Sequence, residues 1–436
     1  MKENLIVFWF RRDLRWDDNH ALFQALSQKM PVLPIFIFDV DILKRFSNVD
    51  NKAVSLIYKN ILRMNEKSES YESSISVFHD SVENVFNSLL EKYNVLGVYA
   101  NEDYESYGMQ RDKDISEFLA KSNIQFNLFQ DHLIFTPGKI LKKDDSPYLI
   151  YTPFSKIWKQ AFFQTSIPHY ASEKLLFNLY KNINSNMPKI EDLGYRLQDV
   201  SIDFKFNKDV LLNYHDTRDF PYLENGTSGI SPFLRFGLIS IREAVNNAVS
   251  INEKFLNELI WRAFFMHILC HFPHVESRSF KTKYDAIEWS LDEAAFHRWC
   301  RGETGFTLVD AGMRQLNETG VMHGRVRMLT ASFLVKHLQI DWRWGEAYFA
   351  QKLLDYELSS NNGNWQWAAG CGCDAAPYFR LFNPDIQQQK FDPNFEYVKK
   401  WVPEYQKISY QNNRIVDLKI AKEKTMQMYK RALDIR

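Results

Sequence analysis

The sequence has few cysteines, no long apolar run and no excess charge of either sign. Its 436 residues include only four cysteines, Cys270, Cys300, Cys371 and Cys373, which is typical of a reduced cytosolic protein rather than of a disulfide framework. The N-terminal apolar run 5–10 is too short for a signal peptide, and no apolar run reaches about 18 residues, so we expect a cytoplasmic protein without membrane spans. Lys plus Arg and Asp plus Glu number 54 each. Any basic surface for nucleic acid must therefore be assembled locally.

Glycine motifs for nucleotide binding are also missing. Residues 1–130 alternate β-rich runs with helical patterns, which predicts an α/β domain with a doubly wound parallel sheet. The predicted strands cover 5–10, 32–39, 76–79, 95–100 and 125–129, and helices open near Asp18, Asn51, Ser81 and Tyr107. The turn after the first strand contains no glycine, and no GxxxxGK[ST] loop occurs. A structural domain with a salt-bridged first turn and a ligand-binding domain are both open interpretations.

Two regions with different composition and periodicity follow this domain. Residues 131–204 are polar and weakly periodic, which predicts an interdomain linker with one short amphipathic helix beginning at Tyr151. Residues 205–436 show helical patterns and almost no strand patterns, which predicts an all-α domain. Eight of the eleven tryptophans fall between 261 and 401. A planar ligand is one explanation for this cluster, and an ordinary core is the other.

One predicted helix carries a stripe of chemically useful side chains. Glu258, Trp261, Arg262 and Phe265 are spaced by three and four residues and share one helix face. A carboxylate, an indole and a guanidinium on one face can contact the edge, face and phosphate of a nucleobase. The alternative is an ordinary surface ion pair between Glu258 and Arg262.

Two further segments are consistent with a ligand site. Thr227-Ser-Gly-Ile-Ser-Pro precedes a helix that we expect to begin after Pro232, and it is either a phosphate site or a routine helix cap. Arg325 and Arg327 lie on diverging faces of a helix, and an inward guanidinium must be paired, with Asp355 as the candidate partner. We predict no metal site, because no HExxH or CxxC pattern accompanies the histidines near position 270.

Taken together, the motifs resemble those of the DNA photolyase/cryptochrome family. The resemblance is carried, in order, by Trp9-Phe-Arg-Arg-Asp-Leu-Arg, Asp18-Asn-His-Ala-Leu, Gly226-Thr-Ser, Asn257-Glu-Leu-Ile-Trp-Arg, Val309-Asp-Ala-Gly-Met-Arg-Gln-Leu, Thr330-Ala-Ser-Phe-Leu-Val-Lys, Asn361-Asn-Gly-Asn-Trp-Gln-Trp and Phe382-Asn-Pro. It runs nearly end to end, is densest from 214 to 405, and is greatest toward bacterial photolyases that act on cyclobutane pyrimidine dimers. It implies that the helical domain binds FAD and that excited, reduced FAD passes an electron to a dimer flipped out of the DNA.

The resemblance also implies roles for individual residues. The implied cofactor-binding residues are Tyr214, Thr227, Ser228, Gly229, Ile230, Ser231, Phe255, Glu258, Arg262, Arg327, Asp355, Tyr356, Glu357 and Asn361. The implied catalytic residues are Glu258, Trp261 and Met328 in the lesion pocket and Asn361, which faces N5 of the flavin. The implied electron-transfer chain is Trp365, Trp342 and Trp289. The implied DNA contacts are Arg218, Arg262, Arg325 and Gln387. An amide at position 361 is typical of repair enzymes rather than of plant cryptochromes.

Departures from the family pattern leave a second function open. Val321 and Gly324 stand where the family usually has Trp and Asn, so a cryptochrome-type photoreceptor is the alternative to a repair enzyme. Met328 occupies the second position of the histidine pair that marks (6-4) photoproduct repair, which argues against that class. The segment beginning at Tyr104 lacks the Asn-Glu pair of folate-binding members. A second, antenna chromophore is therefore expected to be a flavin or deazaflavin rather than a folate, and we expect a monomer that acts on damaged DNA.

Overall fold

Five parallel strands form the sheet of the N-terminal region. The computed structural model describes residues 2–46, 48–183 and 187–433. The strands are β1 (Asn4–Phe10), β2 (Val32–Asp39), β3 (Ser76–Asp80), β4 (Asn94–Asn101) and β5 (Phe126–Phe129). They pair in the order β3-β2-β1-β4-β5, and every pairing is parallel. All eight residues of β2 are buried, as expected for a central strand covered on both faces. The predicted doubly wound sheet is confirmed.

Short polar side chains define where the connecting helices begin. The helices are α1 (His20–Leu26), α2 (Val40–Leu43), α3 (Lys52–Ser68), α4 (Val82–Lys92) and α5 (Ser106–Ala120). Asn19, Asn51 and Ser81 each accept a hydrogen bond from a backbone N–H in the first turn of α1, α3 and α4. These caps explain why helices predicted near Asp18, Asn51 and Ser81 begin within two residues of those positions. The sequence interpretation missed α2, which is a single turn.

The remaining elements are almost entirely helical. They are α6 (Tyr151–Gln164), α7 (Lys208–Leu212), α8 (Tyr214–Thr217), α9 (Ser231–Arg235), α10 (Ile241–Ile251), α11 (Glu253–His271), α12 (Glu293–Arg301), α13 (Thr307–Thr319), α14 (Gly324–Lys336), α15 (Trp342–Lys352), α16 (Leu358–Ala369), α17 (Pro384–Phe391), α18 (Glu396–Trp401), α19 (Ile408–Gln411) and α20 (Leu418–Ala432). Short 3-10 helices cover Glu69–Tyr71, Ser172–Asn178, Pro273–Glu276 and Thr282–Ala286. In the part of the chain that the structure describes, none of the helices combines the length and apolarity that crossing a membrane requires.

The chain divides into two compact units, and each unit is built from three separate stretches of the sequence. The sheet unit comprises residues 1–139, 159–205 and 230–247. The helical unit comprises residues 140–158 and 206–229, together with the chain from 248 onward. Three residues of the segment predicted as a linker, 184–186, lie outside the described residues.

A close backbone contact joins residues 230–247 to the first turn of the sheet unit. Gly237 has φ +66°, and a Cβ atom there would lie 2.2 Å from the carbonyl oxygen of Arg12. Leu14 N donates to the carbonyl oxygen of Phe236 at 3.0 Å. Arg242, which is buried, donates to Asp18 at 2.9 Å. Only glycine combines this left-handed conformation with so close an approach.

Ion pairs fill the end of the sheet where a doubly wound domain usually binds a nucleotide. That position lies beyond β1 and β4, the neighbouring strands at which the strand order reverses. Arg11 at the end of β1 pairs with Asp112, and Arg12 pairs with Asp103 at 3.0 Å and with Glu105 at 3.1 Å. The guanidinium of Arg11 also lies 5.1 Å from the ring centroid of Trp9. The predicted salt bridges of the first turn are therefore present.

The helical unit packs around buried aromatic rings. Trp299, Phe306, Phe333, Trp342 and Trp365 are all buried in its hydrophobic core. Helices α13 and α14 approach closely at Gly312, where a Cβ atom would lie 2.3 Å from Cγ1 of Val326. Much of the tryptophan cluster is thus core, in agreement with the ordinary interpretation of individual residues.

Candidate functional site

The predicted stripe of α11 is present and is fixed by partners distant in sequence. Asn252 caps this helix by accepting from the backbone N–H groups of Lys254 and Phe255 at 2.9 and 3.3 Å. Glu258 accepts a hydrogen bond from the guanidinium of Arg218. Arg262 donates to Oε1 of Glu357 at 2.9 Å. The two charged residues of the stripe therefore point to different parts of the helical unit.

Trp261 lies within a group of aromatic rings. The ring of Tyr151 stacks on it with centroids 3.7 Å apart and an interplanar angle of 4°. Phe264 meets it edge-on at 5.6 Å, and Phe265 lies at an offset with centroids 5.5 Å apart. Trp261 itself is half-buried, so part of its ring remains accessible to a planar ligand.

The two arginines at the start of α14 diverge as predicted. Arg325 donates to Asp219 at 2.6 Å. Arg327 forms a two-point contact with Asp355, with Nη2 2.9 and 3.1 Å from the carboxylate oxygens. The Asp355 side chain is only 7% exposed, so this pair satisfies the requirement that a buried carboxylate be compensated. The candidate partner Asp355 is confirmed, and the structure identifies Arg327 as the arginine that it pairs with.

His323 orders the beginning of the same helix. Its Nδ1 accepts from the backbone N–H of Arg325 at 3.2 Å, which places it at the N-cap. Burial, and to a smaller extent the neighbouring Arg327 and Arg325, lower the pKa of His323 to about 4. The imidazole is therefore neutral near pH 7. The next residue, Gly324, has no atom within 4 Å of a Cβ built on it, and Val321 is 40% exposed. Space remains open at both positions where the chain departs from the family pattern.

Asn361 is oriented by a carboxylate that the sequence analysis missed. Its Nδ2 donates to Oε1 of Glu346 at 2.9 Å and to the carbonyl oxygen of the same residue at 3.2 Å. Burial raises the pKa of Glu346. This contact turns the amide carbonyl of Asn361 away from Glu346. Glu346 lies on α15 and Asn361 on α16, and no local pattern links the two positions.

The segment 214–231 combines a buried tyrosine with an open glycine turn. Tyr214 is buried and packs edge-on against Phe255, with ring centroids 5.4 Å apart. Burial and the nearby carboxylate of Glu258 raise the pKa of Tyr214. Gly229 has φ +63° with no atom within 4 Å of a built Cβ, so the turn leaves room beside its backbone. The expectation that the next helix begins after Pro232 is wrong, because α9 begins at Ser231 with the proline in its first turn.

The three predicted electron-transfer residues differ in burial. Trp365 and Trp342 are buried, whereas Trp289 is half-buried. A Cβ atom at Gly345 would lie 2.1 Å from Cη2 of Trp365, so the indole rests directly on α15 one turn after Trp342. Trp299, not singled out beforehand as a site residue, also contacts Trp365, with ring centroids 6.1 Å apart.

The remaining predicted residues lie on the same helices or next to them. Met328 is half-buried on α14, and its sulfur lies 3.9 Å from Nη1 of Arg325. Gln387 is half-buried on α17. Tyr356 is half-buried, and its hydroxyl lies 3.5 Å from Oε1 of Glu346. Ile230 and Ser231 belong to the sheet unit by contact, whereas Thr227 to Gly229 belong to the helical unit.

The polar groups of the helical unit fit a flavin nucleotide. Two buried carboxylates, Asp355 and Glu357, each have an arginine partner, and the amide of Asn361 is held in one orientation by Glu346. Oriented amides and carboxylates of this kind suit the N–H and carbonyl edge of a flavin and the hydroxyls of a ribose. The open turn at Gly229 gives a diphosphate access to free backbone.

Comparisons with known proteins agree with this assignment across the whole chain. Residues 6–171 match the family model for DNA photolyase, and residues 255–433 match that for the FAD binding domain of DNA photolyase. The chain is similar to a deoxyribodipyrimidine photo-lyase of Vibrio cholerae, with 34% identity over 98% of this chain and 99% of the relative.

Solved structures show the same architecture. A bacterial class III photolyase from Agrobacterium tumefaciens has a TM-score of 0.84 and 29% identity over 100% of this chain and 98% of its own. An archaeal photolyase from Sulfolobus tokodaii with two FAD molecules has a TM-score of 0.82 and 32% identity over 98% of this chain and 100% of its own. Fold and site together define a flavoprotein that binds FAD in its helical region. The chain belongs to the DNA photolyase family.

Proposed function

We propose that this chain is a deoxyribodipyrimidine photo-lyase, a carbon-carbon lyase that uses light to repair cyclobutane pyrimidine dimers in DNA. The observation that carries the proposal is the Arg262–Glu357 pair. It connects the helix that presents Glu258 and Trp261 to the segment that presents Asp355 and Asn361. Groups suited to a damaged base and groups suited to a flavin therefore meet at one place in the helical unit.

In this proposal the helical region holds FAD through residues on four segments. Tyr214 and Thr227 to Ser231 lie in the first segment, and Phe255, Glu258 and Arg262 lie on α11. Arg327 lies on α14, and the last segment contains Asp355, Tyr356, Glu357 and Asn361. The reduced cofactor, when bound and excited by light, would supply the electron that splits the dimer and would regain it once the two pyrimidines are restored. Asn361 presents its amide carbonyl because Glu346 holds the amide nitrogen. The Arg327–Asp355 pair holds the carboxylate of Asp355 in place.

The lesion and the DNA backbone are contacted by a second set of residues. Trp261 offers part of an indole face to the dimer, Glu258 accepts hydrogen bonds from its base edges, and Met328 completes the pocket. Arg218, Arg262, Arg325 and Gln387 contact the DNA around it. Arg218 and Arg325 are held by Glu258 and Asp219 in the structure. Phosphate binding must therefore compete with these partially exposed ion pairs, which are weak in water.

The tryptophans carry electrons between the surface and the flavin site in this proposal. Trp365 and Trp342 are buried and Trp289 is half-buried, so the chain leads outward. Their task is to reduce the oxidised cofactor under light, which keeps the enzyme active without taking part in repair itself.

We infer that a second chromophore, if the protein binds one, lies in the sheet unit. A cavity of about 320 Å³ at the carboxyl ends of β2 and β3 is lined by apolar side chains, including Leu43, Phe46 and Tyr195, and by the polar Lys44 and His79. This volume lies at the lower end of the range for small-molecule sites. Ion pairs fill the usual crevice beyond β1 and β4, so the cavity is the better position for a flavin or deazaflavin antenna. The archaeal photolyase from Sulfolobus tokodaii contains two FAD molecules in its crystal structure, which supports a flavin as the second chromophore here.

The test is blue-light repair of a defined lesion. The purified protein with reduced flavin is irradiated with an oligonucleotide that carries one thymine dimer, and restored thymines are measured against a dark control. We expect restoration in the light only, and a Glu258→Ala variant is expected to repair at least about 10-fold more slowly. The absorption spectrum of the same preparation reports the flavin and any second chromophore.

The rival function is a cryptochrome-type photoreceptor, favoured by the open positions at Val321 and Gly324. It predicts light-dependent flavin reduction without restoration of thymines. Absence of repair by reduced, irradiated protein would exclude the photo-lyase assignment. The monomeric state and cytoplasmic location expected from the sequence are part of the same proposal, and gel filtration with and without damaged DNA tests the first of them.

A further inference from the structure

The most closely stacked ring contact of the proposed lesion pocket involves a residue that no family motif supplied. Tyr151 and Trp261 lie with ring centroids 3.7 Å apart and planes within 4° of each other. Tyr151 also meets Phe264 edge-on at 5.9 Å. Tyr151 therefore covers one face of Trp261, and Phe265 lies offset from the same indole with centroids 5.5 Å apart. A base can stack only on the part of the half-buried ring that these two side chains leave accessible.

Hydrogen bonds hold both the backbone and the side chain of Tyr151. Its hydroxyl donates to the carbonyl oxygen of Asn257 at 2.9 Å, one turn before Trp261 on α11. Its backbone N–H donates to Oδ2 of Asp374 at 3.0 Å. Burial, and secondarily the charge of Glu258, raise the pKa of Tyr151, so the hydroxyl stays a donor at neutral pH. A side chain held in this way forms a fixed wall and does not act as a gate.

The position of Tyr151 in the chain explains why sequence patterns did not find it. It begins α6, in a region that resembles a polar linker, yet residues 140–158 group with the helical unit by contact. Residues 159–205, which follow directly, group with the sheet unit. The beginning of the linker region thus contributes a wall of the pocket.

We propose that Tyr151 is a positioning residue for lesion recognition. It sets the ring plane of Trp261 so that the accessible part of the indole receives a flipped pyrimidine dimer. The inference rests on the proposed function for the identity of the ligand. Its physical basis is that an indole stacked on a fixed ring has lost its freedom to rotate before the lesion arrives. A preorganised indole favours a flipped-out dimer, which exposes the faces of its two bases, over DNA that offers only its backbone.

The experiment measures binding and repair separately. Wild type, Tyr151→Leu, Tyr151→Phe and the neighbouring exposed control Thr152→Ala are titrated with an oligonucleotide that carries a thymine dimer and with the undamaged duplex. Aromatic stacking contributes about 0.5–1.5 kcal/mol, so we expect Tyr151→Leu to bind the dimer about 2- to 10-fold more weakly. Its affinity for undamaged duplex and its FAD content should match those of Thr152→Ala. Tyr151→Phe retains the ring and should recover most of the affinity.

A double-mutant cycle identifies the partner. Trp261→Leu and Tyr151→Leu are combined, and the loss of dimer affinity in the double variant should be smaller than the product of the single losses. Additive losses, unchanged or tighter dimer binding by Tyr151→Leu, or an equal loss for undamaged DNA would overturn the inference. A wild type that binds the dimer selectively but does not repair it would refute the photo-lyase function alone, because the binding comparison does not depend on turnover.

Discussion

At the residue scale, the charged groups of the candidate site are organised in pairs that span long distances in sequence. Glu258 is paired with Arg218, Arg262 with Glu357, and Arg327 with Asp355. The last pair was predictable in part, because an inward guanidinium needs a carboxylate and Asp355 was the candidate, whereas only the structure identified Arg327 as its partner. The first two were not, since a carboxylate and an arginine four residues apart on α11 suggest a pair within the helix. Tertiary contacts gave each of them a different partner.

Trp342 provides a residue-scale prediction about flavin reduction. It is buried, and its indole N–H has no hydrogen-bond partner among the residues that the structure describes. Trp342→Phe preserves most of the packing but removes the readily oxidised indole. We expect photoreduction of oxidised FAD to slow at least about 10-fold, while repair by chemically reduced protein stays within about twofold. The half-buried Trp401→Phe is the matched control. Equal loss of repair in Trp342→Phe would show that its role is not confined to the relay.

At the element scale, the helical starts and the glycine contacts explain how local sequence becomes packing. The caps at Asn19, Asn51 and Ser81 act within one turn, and they place the helices around the sheet where the pattern predicted them. Gly237 and Gly345 act between elements, because each allows a group distant in sequence to lie against backbone. Contacts between elements, such as those at Gly237 and Gly345, cannot be predicted from side-chain periodicity.

Gly237 provides the element-scale prediction. A Cβ there would lie 2.2 Å from the Arg12 carbonyl oxygen, and φ is +66°. Gly237→Ala should therefore combine left-handed strain with a backbone clash, and we expect it to lower the free energy of unfolding by about 3 kcal/mol. The control is Gly194→Ala, which has φ +86° with no atom within 4 Å and should cost about 1 kcal/mol. Urea unfolding followed by circular dichroism distinguishes the two. Equal costs would mean that the close approach is relieved by a small shift.

At the scale of the whole molecule, buried histidines couple folding to pH. His337 is buried against Phe333, with ring centroids 5.1 Å apart and planes 18° apart. Burial, and to a smaller extent the charge of Lys336, lower the pKa of His337 to about 4 from an ordinary value of 6.5. The unfolded chain binds a proton below pH 6.5 that the folded chain resists until about pH 4. The stability contributed by the neutral imidazole is therefore lost as the pH falls through this window.

The pH prediction compares His337→Leu with the wild type. Between pH 7 and pH 5 the histidine should account for a loss of about 2 kcal/mol in the free energy of unfolding, since each pH unit below the ordinary pKa costs about 1.4 kcal/mol. His337→Leu should remove that part of the pH dependence, whereas the exposed His297→Gln should retain it. Urea unfolding at both pH values provides the measurement. An unchanged pH dependence in His337→Leu would show that the imidazole is protonated in the folded state.

Local patterns in the chain were enough to specify the sheet, the positions near which its helices begin, the helical character of the C-terminal region and the need for a carboxylate partner at one arginine of α14. These depend on hydrogen bonds within a turn, on side-chain periodicity and on the cost of burying an unpaired charge, all of which act over a few residues or follow from composition. Three other features became visible only in the folded chain: residues 230–247 pack with the sheet, Glu346 orients Asn361, and Tyr151 covers a face of Trp261. Those contacts join positions 15 to more than 200 residues apart, where packing selects the partner and no local pattern records the choice.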